Sequence, residues 1–272
     1  MKRRFTLVLL IMAFAISFVL AQDFELEIDS AGNTVLVRYH GEGGDVYVTY
    51  GITKIGDGAF AGINTVKSIT LPGSVREIGN FAFVESSSLE EIYIPEGVTS
   101  IGNMAFLACL SLQEIRVAPD NPRYASLQGA LFDKQSRTLI AYPAGSPNKV
   151  YTIPQGIGTI GEAAFAGSKN LEEIIIPDSV SYIDYGAFAE NTSLKNIVLP
   201  LSTIALGDDA FWGCTSLESI TIPSSTTTIG KDILKGSISL REIRVEEESV
   251  AYHHFMGSEY ERYLVYHPSW LR

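Results

Sequence analysis

Cys109 and Cys214 are the only cysteines of the chain, and an even number of thiols invites a disulfide if the protein is exported. The histidines His40, His253, His254 and His267 are what a zinc site would draw on. Gly41-Glu42-Gly43-Gly44 has the texture of a phosphate loop, while Asp208-Asp209 and Glu246-Glu247-Glu248 offer carboxylates for calcium. None of these assembles into a site. The glycine-rich stretch is not followed by Lys-Ser/Thr. The acidic runs lack the alternating Asp/Asn spacing of a calcium loop and read as solvated charge. His253 and His254 are adjacent, so on a strand they point opposite ways. No metal, no cofactor and no catalytic residue are expected, and the chain reads as a non-enzyme.

The elements that must carry these residues are set by a repeat. Ile-Gly-x-x-Ala-Phe recurs, opened by Ile55, Ile78, Ile101, Ile160, Ile183, Leu206 and Ile229, with Phe60, Phe83, Phe106, Phe165, Phe188, Phe211 and Leu234 five residues later. The spacing is 23 residues everywhere except between Phe106 and Phe165, where it is 59. One longer, irregular turn of 36 residues therefore interrupts the series. In the copy spanning 78–100, Ala82 and Phe83 point inward, and Leu89, Ile92 and Ile94 follow with the alternation of a half-buried strand. Pro95 closes that strand, as Pro72, Pro154, Pro177, Pro200 and Pro223 close theirs. Such a winding cannot bury its apolar face alone, so the copies must stack, and the phenylalanines are expected to line up along one spine. Gly56, Gly79, Gly102, Gly161, Gly207 and Gly230 share a column with Asp184, which suggests a left-handed backbone there.

The repeat disposes of the remaining chemistry. Cys109 and Cys214 each sit three residues after their phenylalanine, four windings apart. That separation is on the order of 19 Å at strand spacing, while a disulfide needs Cα atoms within about 7 Å. Buried free thiols are expected. Thr65, Ser88, Ser111, Ser193, Ser216 and Ser239 fall in another column, where their hydroxyls should serve turn backbone rather than act as nucleophiles.

The phrases IGDGAF, IGNMAFLACLSLQEIRV, IGEAAFAGSKNLEEIIIP and AFWGCTSLESITIP resemble the BspA-type leucine-rich repeats of bacterial surface proteins. NPRYASLQGALFDKQSRTLIAYPAG resembles the variant repeat interleaved in that family. The resemblance implies a leucine-rich-repeat solenoid with a parallel β ladder and short helical or turn segments. It also implies an exported or surface-displayed protein, with adhesion to host matrix proteins or other cells as a role of its relatives. The expected organisation is a signal peptide over 1–21, an N-terminal cap over 22–51, the solenoid over 52–245 with its long variant turn at about 118–154, and an aromatic-rich C-terminal cap over 246–272.

The signal peptide rests on Lys2-Arg3-Arg4, the uncharged run Phe5 to Leu20, and small residues Val19 and Ala21 before Gln22. After cleavage no membrane span is expected, and removing those three positive charges takes the formal net charge from −11 to −14. Such a body repels phosphate backbones, which argues against a nucleic-acid partner and leaves a protein partner. The candidate surface is the outward set of the strands: Tyr93, Arg116, Ile175, Val198, Thr221 and Arg244, with Glu91, Glu114, Glu173, Asn196 and Glu242 two residues earlier in their strands. Ile175 and Val198 are expected side by side, an apolar spot in a polar face. The leading reading is an exported, monomeric recognition protein that binds another protein, in the periplasm, at the cell surface or outside. The alternative is a passive envelope component without a ligand.

Overall fold

The computed structural model describes residues 23–266, so the expected signal segment and its cleavage site lie outside the described residues, as do His267 and Trp270. The chain coils as a β-solenoid. Each winding contributes one longer strand, such as Glu91–Ile94 or Glu173–Ile175, and one two-residue strand, such as Glu77–Ile78 or Thr159–Ile160. Both kinds pair in parallel with their copies one repeat away, Ile69 with Ile92 and then Ile115, and Ile160 with Ile183 and then Leu206. Pro72, Pro95, Pro177, Pro200 and Pro223 each open a tight turn after the longer strand, their carbonyls accepting from the N–H three residues on.

A third set of hydrogen bonds runs along the turn that carries the phenylalanine. Phe81, Phe83 and Glu85 N–H donate to the carbonyls of Asn103, Ala105 and Leu107, and the same three bonds recur at each junction between consecutive 23-residue copies. The donors two residues before and two after each phenylalanine have positive φ, for example Phe81 (54°) and Glu85 (59°), or Gly186 (57°) and Glu190 (57°). The left-handed positions are therefore these, and not the recurring glycine column of the repeat. Gly79 is crowded instead: a Cβ there would lie 2.6 Å from the backbone nitrogen of Asp57, and one at Gly230 would lie 2.3 Å from that of Asp208. Glycine is favoured at these positions by close approach of the preceding winding, while the same column admits the Cβ of Asp184.

The phenylalanine rings do stack, but in two runs rather than along one spine. Tyr39, Phe60, Phe83 and Phe106 form the first, with centroids 5.2–5.4 Å apart. Tyr142, Phe165, Phe188 and Phe211 form the second, at 5.1–5.2 Å. The core divides at the same place, into one cluster ending near Ala141 and another beginning near Ala130. The variant turn is the partition. Its strands Tyr124–Leu127, Ala130–Asp133 and Thr138–Ala141 pair antiparallel, and the middle one is buried on both faces. Leu131 packs into the first core, and Ala130 and Phe132 into the second. Asp133 is buried at the end of that strand, where its carboxylate pairs with Arg123 at 2.8 Å and accepts from Gln135 and Ser136 N–H. Burial would raise its pKa, but those partners outweigh burial and hold it below the usual carboxylate range.

At the two ends, Phe24–Ile28 runs antiparallel to Thr34–Tyr39, and the helix Val250–Phe255, capped by Ser249, buries Ala251 and Phe255. The first hairpin turns fewer of its apolar side chains inward than its alternation implies. A register shift between Glu25 and Leu26 leaves Leu26 and Ile28 exposed, while Leu36 and Tyr39 enter the core. Leu264–Tyr266 pairs with Glu242–Val245 and extends the longer-strand sheet by one more strand.

Candidate functional site

Pleating sends Ile92 and Ile94 inward, almost fully buried, and Glu91 and Tyr93 outward on the same strand. Parallel pairing then stacks outward residues into rows: Ser68, Glu91 and Glu114; Thr70, Tyr93 and Arg116; Asn196, Ser219 and Glu242; Val198, Thr221 and Arg244. The rows are not continuous along the molecule. The variant hairpin separates Arg116 from Ile175, and no ladder joins Glu173–Ile175 to Asn196–Val198. The expected face is thus brought together as three patches, the last two meeting at Asn196 and Val198.

In the first patch Arg116 bridges Glu114 at 2.8 Å and Glu91 at 3.1 Å, beside the exposed ring of Tyr93. The hydrogen bond that Arg116 donates to Glu114, and then the charges of Glu114 and Glu91, raise the guanidinium pKa further. In the last patch Thr221 is half-buried, and Glu242 pairs with Arg244 on its own strand.

The middle patch is different in kind. Ile175 and Val198 are 45% and 61% exposed, and Val150 beside them is 50% exposed. Together with Glu173 and Asn196 they line a shallow depression of about 800 Å³. Ile175 and Val198 share this depression although their strands form no common ladder. Its edge is charged: Glu172 takes Lys149 at 2.7 Å and Lys195 at 3.3 Å, and those two lysines hold its carboxyl below the usual range. Val150 and this charged triplet were not among the expected residues. The signal was present, since Lys149, Glu172 and Lys195 follow one another at the 23-residue period with alternating sign. It is obscured because Lys149 lies at the end of the irregular turn.

The residues considered for chemistry are disposed otherwise. Cys109 and Cys214 are buried free thiols whose pKa burial pushes up to about 12, so no thiolate is at hand near neutral pH. Each Sγ donates to the carbonyl of the preceding winding's phenylalanine, Phe83 at 3.0 Å and Phe188 at 3.1 Å. Ser86, Asn191 and Ser237 do the same from the same column. The other column behaves differently from expectation: Ser88 bonds the Asn64 carbonyl, but it is the only one of the six whose hydroxyl bonds backbone among the described residues. Asp208 accepts from Lys231 N–H and so ties windings together. His40 faces Glu25, and His253 faces Glu248. Among the described residues no group of three or more His, Cys, Asp or Glu could hold a metal ion, and no helix is long and apolar enough to cross a membrane.

The family described as BspA type leucine rich repeat region matches residues 44–147 and 144–260 in six copies. No curated protein matches the chain. Among solved structures, a leucine-rich repeat protein from Eubacterium ventriosum aligns with TM-score 0.59 and 20% identity, over 83% of this chain and 77% of the other. The pneumococcal vaccine antigen PcpA aligns with TM-score 0.62 and 23% identity, over 80% of this chain but only 65% of that one. Identities this low carry the fold and no more.

Proposed function

The chain belongs to the BspA-type leucine-rich-repeat family, and from that premise we propose that it is an exported, non-catalytic protein that recognises another protein through its outward strand face. The observation that carries this reading is the strip formed by Val150, Ile175 and Val198. Three branched side chains stand in solvent within one depression, edged by ion-paired Lys149, Glu172 and Lys195. An apolar centre inside a polar rim is the usual anatomy of a protein-binding patch. Export is supported by the charged-then-apolar layout of residues 1–21, and adhesion to host matrix or to other cells is the role we assign within that compartment. The acidic patch of Glu91 and Glu114 would add steering toward a basic partner surface.

The test is capture from envelope and host-matrix extracts with the mature protein and with two variants. One is Ile175→Asp/Val198→Asp; the other is Glu91→Lys/Glu114→Lys/Glu173→Lys. A partner retained by the parent and lost by both variants, with melting unchanged, supports the reading. Identical captures from all three forms would remove the strand face from consideration and favour a passive envelope role.

A further inference from the structure

The turn-side ladder is broken at one interior junction. Met104, Phe106 and Ala108 N–H correspond to the donors that tie every other regular winding except the last to the next, yet they find no acceptor among the described residues. Across the gap, and among the described residues, the carbonyls of Glu162 and Ala166 accept nothing and that of Ala164 takes only Tyr142 N–H. The cause is the variant turn. A regular winding runs five residues from Ile160 to Phe165, whereas the variant passes from Leu139 to Tyr142 in three, without the outward turn.

A groove of about 490 Å³ opens where that turn is missing. Its apolar walls include Leu107, Leu110, Ala166 and Trp212, with Leu110 and Trp212 about two-fifths exposed at 41% and 40%. Glu85, Glu190 and Asp209 also line it, and no lysine or arginine does. A pinched cavity of about 20 Å³ continues beneath it to Phe106 and Tyr142.

We propose that this groove docks an apolar peptide segment of another protein that carries lysine or arginine, bound as the turn the solenoid lacks. The peptide's carbonyls accept from Met104 and Ala108 N–H, its apolar side chains lie against Leu107, Leu110 and Trp212, and its cation meets Glu190 and Asp209. Unpaired amides bordering an apolar wall suit a backbone better than a lipid or a hydrocarbon, which would leave them unsatisfied. Three carboxylates exclude acidic peptides and nucleic acid. The chain's own net charge of −11 makes a second copy a poor source of the cation. The groove shares no lining residue with the depression around Ile175 and Val198, so the two sites can stand or fall separately.

The probe is a phage-displayed library of random peptides panned on the mature protein, followed by titration of the selected peptides made synthetically. Selection should return apolar, lysine- or arginine-bearing sequences. Their affinity should fall roughly 10-fold or more on Glu190→Lys/Asp209→Lys and on Ala166→Trp, which fills the groove. It should be unchanged on Glu91→Lys/Glu114→Lys/Glu173→Lys. Hydrogen exchange at Met104 and Ala108 should slow on binding, a readout that survives if a groove variant folds poorly. An empty selection, peptides without the cation, affinity indifferent to both groove variants, or unaltered exchange at those two amides would each overturn the proposal.

Discussion

Tyr142 stacks on Phe165 with ring centroids 5.1 Å apart, as Tyr39 stacks on Phe60 at 5.2 Å. The likeness extends well beyond the rings. Tyr142 N–H donates to the Ala164 carbonyl, and Tyr39 N–H to that of Ala59. Each tyrosine closes an antiparallel hairpin whose last strand pairs in parallel with the first two-residue strand of its stack. Each hairpin turn is held by an aspartate accepting two backbone N–H groups, Asp29 from Ala31 and Asn33, Asp133 from Gln135 and Ser136. The interior variant turn is therefore built like the N-terminal hairpin and begins a second stack as that hairpin begins the first.

Two cores predict a localised response to a cavity. Phe165 is fully buried between Tyr142 and Phe188 in the second ring stack. Phe165→Ala should cost about 3–5 kcal/mol, read from denaturant unfolding. Because contacts in a solenoid are between neighbours, amide protection should fall most in the second core and least around Phe60 and Phe83. A change near zero, or uniform loss throughout, would contradict the division.

The backbone geometry predicts two glycine-related substitutions of opposite sign. Gly79→Ala would drive a Cβ to 2.6 Å from the Asp57 backbone nitrogen and should destabilise by about 2 kcal/mol or more. Ala163 has φ of 52° in a column where Gly58 and Gly186 stand. Ala163→Gly should relieve left-handed strain and stabilise by up to about 1 kcal/mol. Thermal melts of the two variants decide it; a lower midpoint for Ala163→Gly would refute the strain argument.

Much of this was legible in the residues. The period, the inward set and the prolines that end each strand follow from spacing alone, because every winding repeats the same burial problem. What escaped is geometry that side-chain type encodes only in part. The glycine column suggested a left-handed backbone because Asp184 stands in it, but what marks the column is crowding by the neighbouring winding, tight at Gly79 and Gly230 and relaxed where Asp184 stands. The true left-handed columns do hold Gly58, Gly186, Asp209 and Asp232, and Gly62, Gly167, Gly213 and Gly236, but that signal is diluted by Phe81, Glu85, Met104 and Ala163, residues with no preference for the region. The candidate face was legible as alternating positions and not as three patches, since the missing ladder beside Ile175 leaves no mark in composition.

The cysteine column predicts which replacements are tolerated. Cys109 Sγ donates to the Phe83 carbonyl, a task Ser86 and Ser237 perform in other windings. Cys109→Ser should change stability by less than about 1 kcal/mol, while Cys109→Val, which removes the second of that carbonyl's two donors and leaves Ser86 N–H as the first, should cost about 0.5–1.5 kcal/mol. Both native thiols should ignore a thiol reagent until the chain unfolds. Prompt labelling of the folded protein would contradict their burial.

Asp184 gives a prediction with a definite pH sign. Burial, and then the charge of Glu162, raise its pKa above the ordinary aspartate value. The folded state therefore holds the proton more tightly than the unfolded chain does. Its favourable contribution is complete below the unfolded pKa, declines as pH rises through the folded value, and is lost above it, where the half-buried carboxylate is ionised. Asp184→Asn, which mimics the protonated form, should raise the melting midpoint at about pH 7 and leave it unchanged at about pH 3, below the ordinary aspartate value of about 3.9. The difference between variant and parent should grow with pH between those limits. A gain that was the same at both ends would mean that side-chain packing, and not ionisation, sets the cost of an aspartate in the glycine column.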